Sequence, residues 1–144
     1  MTVKLNNEKL RYIALFEKLT GATPRDCIES GDEGNHLTFI IDESDMGRAI
    51  GQNGRNIKKV RKELDKRVDV IEYSEDPEQF LRNIFSSVEV LDVEVTTKED
   101  GEKKALVEVD QNEKGRAVGK NGWNIKRARK LLNRHHGLSD VQLA

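Results

Sequence analysis

The feature that most narrows what this chain can fold into is an internal repeat. Residues 47–64 read GRAIGQNGRNIKKVRKEL and residues 115–132 read GRAVGKNGWNIKRARKLL, at a constant offset of 68 residues and with twelve of the eighteen positions identical. Ile50/Val118 and Lys59/Arg127 are conservative pairs. The offset is longer than a solenoid unit and long enough for a small domain, so it points to tandem duplication of one fold. A chain of 144 residues can hold two such units, each with a modest core.

The flanks repeat in pattern. Residues 6–19 place Tyr12, Leu15, Phe16 and Leu19 at helical spacing, with Asn6 or Asn7 available as a cap. In the second half Asp76-Pro77-Glu78-Gln79 supplies a capping Asp and Pro at the first helical position, ahead of Phe80, Leu81, Ile84, Phe85 and Val88 on one face. Two strand-like segments follow each helix, at 26–30 and 37–42, then at 90–97 and 104–110, the latter pair joined by the turn dipeptide Asp100-Gly101. One-turn helices at 46–50 and 114–118 run into the glycine loops GQNG and GKNG. A helix leaves each loop, with Ile57, Val60 and Leu64, or Ile125, Ala128 and Leu132, on its buried stripe. Final short strands are expected at 68–73 and 138–143. Each half reads α-β-β-α-α-β, an α+β unit whose three-stranded sheet carries its helices on one face. The domains are expected at 1–74 and 75–144, joined so closely that a fixed relative orientation is expected.

Charge is sorted along this frame. The chain carries a net charge of −1, yet residues 47–67 hold eight basic residues against Glu63 and Asp65, and residues 114–134 hold eight more with no acid. The remainder is strongly acidic. Such sorting is the electrostatic footprint of a phosphate-binding face on an acidic body. Lys58, Lys62 and Lys66 fall on one helical ridge, and Lys126, Lys130 and Arg134 repeat it. A lone Cys27 makes no internal disulfide and reads as a buried strand residue. No signal sequence or run of roughly 20 apolar residues is present. A cytoplasmic location without membrane association is expected.

In each loop Gly51 and Gly119 allow a turn and a close backbone approach that a Cβ would block. The helices that begin after Gly54 and Gly122 point unpaired N–H groups and a positive dipole end into the loop, which favours an anion. No Gly-Lys-Ser/Thr is present for a nucleotide P-loop, and the glycine spacing is not the dinucleotide pattern. The segment 42–53 fails as a calcium loop, with Met46 at a ligand position and Asn53 in place of the terminal Glu. His36, His135 and His136 lack partners for zinc and are expected at the surface. No paired acid and base stands out. Catalytic residues, metal sites and cofactors are therefore not assigned.

The segments Ile50-Gly51-Gln52-Asn53-Gly54-Arg55-Asn56-Ile57 and Val118-Gly119-Lys120-Asn121-Gly122-Trp123-Asn124-Ile125 resemble the aliphatic-GxxG-x-x-Ile core of KH domains, which clamp about four nucleotides of single-stranded nucleic acid. The element order resembles the type II KH fold. Two such domains filling nearly the whole chain are similar to the tandem KH region of the NusA family of transcription factors, in its short archaeal form; 144 residues leave no room for the polymerase-binding and S1 domains of bacterial members. The resemblance implies a non-enzymatic protein that binds single-stranded RNA in transcription elongation or termination, with RNA polymerase or another transcription factor as a further partner. The alternatives are a KH factor in ribosome assembly and a KH scaffold contacting polymerase.

By the same resemblance Gly51, Gln52, Asn53 and Gly54, and Gly119, Lys120, Asn121 and Gly122, pack against the sugar-phosphate backbone. Arg48, Arg55 and Lys58, and Arg116, Lys120 and Lys126, are the implied phosphate partners, and Lys62 and Lys130 on the same basic ridges are counted among the RNA-binding residues. Ile50, Ile57 and Ile41 would form one apolar floor for bases, and Val118, Ile125 and Val109 the other. Trp123 stands where the first copy has Arg55, to stack on a base, to join the core in part or to contact another protein. GKNG, with Lys120 and no neighbouring acid, is expected to be the stronger contact.

Overall fold

A computed structural model describes residues 7–144. The chain divides into two compact units, one ending at Tyr73 and the other spanning Ser74–Ala144. In the first, helix α1 (Asn7–Thr20) leads into strands β1 (Asp26–Ser30) and β2 (His36–Ile41), the short helix α2 (Met46–Ile50), helix α3 (Arg55–Leu64) and strand β3 (Arg67–Glu72). The second repeats the order with α4 (Pro77–Ile84), β4 (Val90–Thr97), β5 (Lys103–Val109), α5 (Lys114–Val118), α6 (Trp123–His136) and β6 (Asp140–Leu143). The expected α-β-β-α-α-β order is therefore present twice. The proposed cap at Asn6 lies outside the described residues.

Both units contain a three-stranded sheet with the second strand in the middle, antiparallel to the first and parallel to the third. Parallel pairing requires a crossover, and the two helices flanking the glycine loop provide it. The first core gathers Leu37, Phe39 and Ile41 of β2 against Phe16 of α1, Ala49 of α2 and Ile57 and Val60 of α3, with Cys27 buried beside them. The Phe16 and Phe39 rings meet at 4.3 Å. Burial of each such ring contributes about 1.5–3 kcal/mol. The loop helix is thus fixed by its own apolar stripe, which leaves its basic side to solvent.

The two sheets differ on the face turned away from these helices. In the first, Ile28, Thr38, Ile40 and Ile71 occupy that face and are buried. In the second, Glu94 and Glu108 take outward positions and Leu106 is 41% exposed. The strand sequences say as much: HLTFII is nearly continuous in apolar residues, whereas KKALVEV alternates.

Several expectations need correction. Helix α4 is capped as anticipated, with Asp76 Oδ1 accepting from the Glu78 N–H at 3.1 Å, but it stops at Ile84 instead of running to Val88. Ser86 and Ser87 continue a helix poorly, and the chain turns there with the Val88 N–H donating to Phe85 O. The histidines are not simple surface residues. His36 is half-buried in β2, its Nε2 3.0 Å from Asp69 Oδ1, an oxygen that also accepts from Thr38 Oγ1. His135 and His136 pack on Phe80, and His136 Nε2 lies 2.9 Å from Ser74 O. No described helix is long and apolar enough to cross a membrane.

Candidate nucleic-acid interface

The two glycine loops have the same backbone. Gly51 and Gly119 adopt φ 74° and 80° with ψ 170° and 160°, a region open almost only to glycine. Asn53 and Asn121 follow in the left-handed region at φ 56° and 58°, and Gly54 and Gly122 continue it at φ 73° and 75°. The repeated Asn-Gly dipeptide has its physical reason here, because asparagine is one of the few residues with a Cβ that adopt this conformation readily. The first glycine of each loop is also required sterically. A Cβ on Gly51 would lie 2.8 Å from Asn56 Cγ and 2.9 Å from Asn56 N, and one on Gly119 would lie 2.6 Å from Trp123 Nε1.

Each loop ends directly in a helix whose N-cap is glycine and supplies no side-chain cap, and the first N–H of each helix, that of Arg55 or Trp123, donates back to the loop carbonyl of Gln52 or Lys120. The positive ends of α3 and α6 thus face the loop without a side-chain anion to satisfy them. Gln52, Asn53, Lys120 and Asn121 are exposed at the tips, and Arg55, Lys58, Lys62, Lys126 and Lys130 are exposed on the following helices. Beside the first loop, Gln52, Asn53, Arg55, Lys58, Lys59 and Lys62 line a shallow depression of about 400 Å³. Arg48 and Arg116 stand on the helix before each loop with exposed side chains, within 4 Å of Asp45 and Glu113 respectively. Those acids precede the basic windows by a residue or two, so the second loop does have an acidic neighbour. Such exposed pairs hold an arginine weakly, by about 0–1 kcal/mol.

Other members of the implied site are placed differently from one another. Ile50 is 37% exposed and Val118 is half-buried, whereas Ile57 and Ile125 are nearly covered and Ile41 has no exposed surface. The apolar floor therefore narrows to Ile50 and Val118 at the rim, with Ile41, Ile57, Val109 and Ile125 as core beneath. The basic ridge survives whole only on α6. Helix α3 ends at Leu64 with Asp65 in the left-handed region, so Lys66 leaves the helix; its Nζ donates to Gly34 O at 3.1 Å and lies 5.5 Å from the Tyr12 ring centre. Arg61 and its counterpart Arg129 support the sheet, each donating Nε to a strand carbonyl, Val68 O or Val141 O. Arg129 also meets Asp140. Burial raises the Asp140 pKa, but hydrogen bonds from Gln142 and Val141 and the charges of Arg129 and Lys104 outweigh it and hold the carboxyl below its ordinary value.

Two functional positions escaped the sequence reading. Asn56 Nδ2 donates to Arg48 O at 2.7 Å, and Asn124 Nδ2 donates to Ala117 O at 2.8 Å, so each asparagine ties the helix after a loop to the helix before it. Their identity at equivalent positions of the repeat was the available signal. Trp123 is half-buried, its indole edge against Gly119 and the Arg127 guanidinium 4.7 Å from the ring centre. Among the described residues no cluster of His, Cys, Asp or Glu is arranged to hold a metal.

The element order, the paired loops and the crossover geometry define a tandem KH-domain protein. The KH domain family matches residues 10–99 and the NusA-like second KH domain matches residues 77–141. Two archaeal proteins named "Probable transcription termination protein NusA" are similar over nearly the full chain. That of Methanococcus vannielii is 37% identical over 143 residues, 99% of this chain and 80% of its own. That of Halococcus morrhuae is 36% identical over 144 residues, covering both chains entirely. A solved structure titled "Crystal structure of APE1850" superposes with a TM-score of 0.78 at 39% identity, over 97% of this chain and 100% of the other. The chain belongs to the NusA family of KH-domain proteins.

Proposed function

We propose that the chain binds single-stranded RNA through both glycine loops and acts, without catalysis, in transcription termination. The observation that carries this reading is the pair of loops with one backbone conformation, each opening onto a glycine-capped helix N-terminus flanked by exposed Arg and Lys. Phosphates seat against the Gly51–Gly54 and Gly119–Gly122 backbone, and Arg48, Arg55, Lys58 and Lys62, with Arg116, Lys120, Lys126 and Lys130, neutralise their charge. Ile50 and Val118 offer the apolar rim on which a base rests. The name carried by the archaeal relatives supports a setting in the cytoplasmic transcription machinery, with RNA polymerase or a companion factor as protein partner.

The test replaces Gln52 and Asn53, and Lys120 and Asn121, by aspartate. Aspartate tolerates the left-handed conformation of Asn53 and Asn121, so the folds are retained while the loops repel phosphate. RNA affinity is expected to fall more than about tenfold when both loops are changed, with circular dichroism preserved. Unchanged affinity with the folds intact removes the proposal. Binding should also weaken linearly in log K against log salt, and a flat dependence contradicts phosphate-led recognition. Crosslinked RNA recovered from cells should be nascent transcript; predominance of ribosomal RNA would move the role to ribosome assembly.

A further inference from the structure

The two loops share a backbone and a tying asparagine but differ in what packs behind the first glycine. In the first domain, Arg55 and Lys59 of α3 are exposed, and Asn56 donates to the carbonyl of Arg48. In the second, the equivalents of these three residues are Trp123, Arg127 and Asn124, and they are linked to one another. The Trp123 indole lies so close to Gly119 that a methyl group there would fall 2.6 Å from Nε1 and 2.7 Å from Cδ1. The Arg127 guanidinium packs over the ring at 4.7 Å and is itself only 4% exposed. Its Nη2 donates to Asn124 Oδ1 at 2.6 Å and reaches the carbonyl of Ile84, at the end of α4, at 3.5 Å. Asn124, 3% exposed, then donates to Ala117 O on the helix before the loop. The chain of contacts runs from the first loop glycine, through the indole and the guanidinium, into the core of the domain.

We propose that Trp123, Arg127 and Asn124 form a strut that holds the GKNG loop in its RNA-receiving conformation, with Trp123 as a positioning residue and not a base-stacking platform. This rests on the RNA-binding reading above and deepens it. A loop fixed before binding loses less conformational freedom when RNA arrives. The second loop is accordingly held by a contact that the first loop lacks. A cation held against a buried ring face is worth more than the same pair in water, which is why the burial of Arg127 matters.

The test uses the full chain and two variants that give the second loop the residues of the first, Arg127→Lys and Trp123→Arg. Amide hydrogen exchange over residues 119–124 reads the loop without RNA. Anisotropy of a labelled, mixed-sequence single-stranded RNA reads affinity. The chain has one tryptophan, so intrinsic emission reads Trp123 alone. Exchange at 119–124 is expected to accelerate in both variants, with β5 still protected, and the affinity of Arg127→Lys to fall about fivefold, the order expected for loss of one shielded cation–π contact; Trp123→Arg adds a cation at the position of Arg55 and is read by exchange alone. Wild-type emission should survive saturation with RNA. Strong quenching on binding, unchanged loop exchange in both variants, or acceleration spread evenly over the domain each overturns the strut. If the wild-type chain binds no RNA, the functional reading fails, while the exchange measurement still decides whether the strut exists.

Discussion

Replacing Gly119 by alanine should destabilise the second domain by about 2–6 kcal/mol, and the structure shows where that cost arises. The residue sits at φ 80°, ψ 160°, where a side chain costs about 1–3 kcal/mol in backbone strain. The added methyl group would also stand 2.6 Å from Trp123 Nε1, 2.7 Å from Cδ1 and 3.1 Å from the backbone nitrogen of Asn124. The nitrogen belongs to α6 and cannot retreat, so the indole must be displaced, at about 1–3 kcal/mol for overpacking. Gly115 is the internal control: it lies in α5, and a methyl group there would meet nothing within 4 Å, so alanine should be neutral or stabilising by up to about 1 kcal/mol. The assay is urea unfolding followed by the single tryptophan, which reports on the second domain. With a denaturant slope of about 1.5 kcal/mol per molar, a loss of 3 kcal/mol lowers the midpoint by about 2 M. A Gly119→Ala midpoint indistinguishable from that of Gly115→Ala would refute the steric and conformational account of the loop.

Asn124→Ala should cost about 2–3 kcal/mol, because it leaves the buried Arg127 guanidinium and the Ala117 carbonyl each short of a partner, whereas Asn56→Ala in its more exposed setting should cost about 1 kcal/mol; thermal unfolding of the two variants should separate them. Asp76→Ala removes the acceptor for the Glu78 N–H and should cost about 1 kcal/mol, read as faster amide exchange in the first turn of α4. Because the folded Asp140 carboxyl has a depressed pKa, its stabilising contribution is full above the unfolded value near ~3.9 and is lost as pH falls through the lower folded value. Asp140→Asn should therefore lower the melting temperature at neutral pH, with the difference from wild type closing under strongly acidic conditions.

Much of the architecture was legible because it is local. The short helices at 46–50 and 114–118, the strands at 26–30 and 90–97 and the capped start of α4 follow from periodicity, glycine and proline punctuation and a capping aspartate within a few residues of each element. The ends were less legible. Helix α3 stops at Asp65 while α6 continues through the equivalent Asn133 to His136, although both residues tolerate the left-handed conformation that ends a helix. Which one takes it depends on whether a strand must begin at once, as β3 does at Arg67 and β6 does not until Asp140. The histidines were misplaced for a similar reason: nothing near His36 in the sequence announces Asp69, 33 residues away on the neighbouring strand.

By itself the sequence determined the duplication, the order of elements, the sorting of charge and the need for Gly at the start of each loop, all of which depend on residues adjacent in the chain or repeated at one offset. The tertiary structure decided which of the many cations face solvent. Lys58, Lys62, Lys126 and Lys130 remain exposed, but Lys66 turns to a loop carbonyl, Arg61 and Arg129 brace strands while staying partly in solvent, and Arg127 is buried against Trp123. Helical periodicity assigns a residue to a face of its own helix. It is the distant segment packed against that face that decides whether a long cationic side chain finds water, a carbonyl or an aromatic ring.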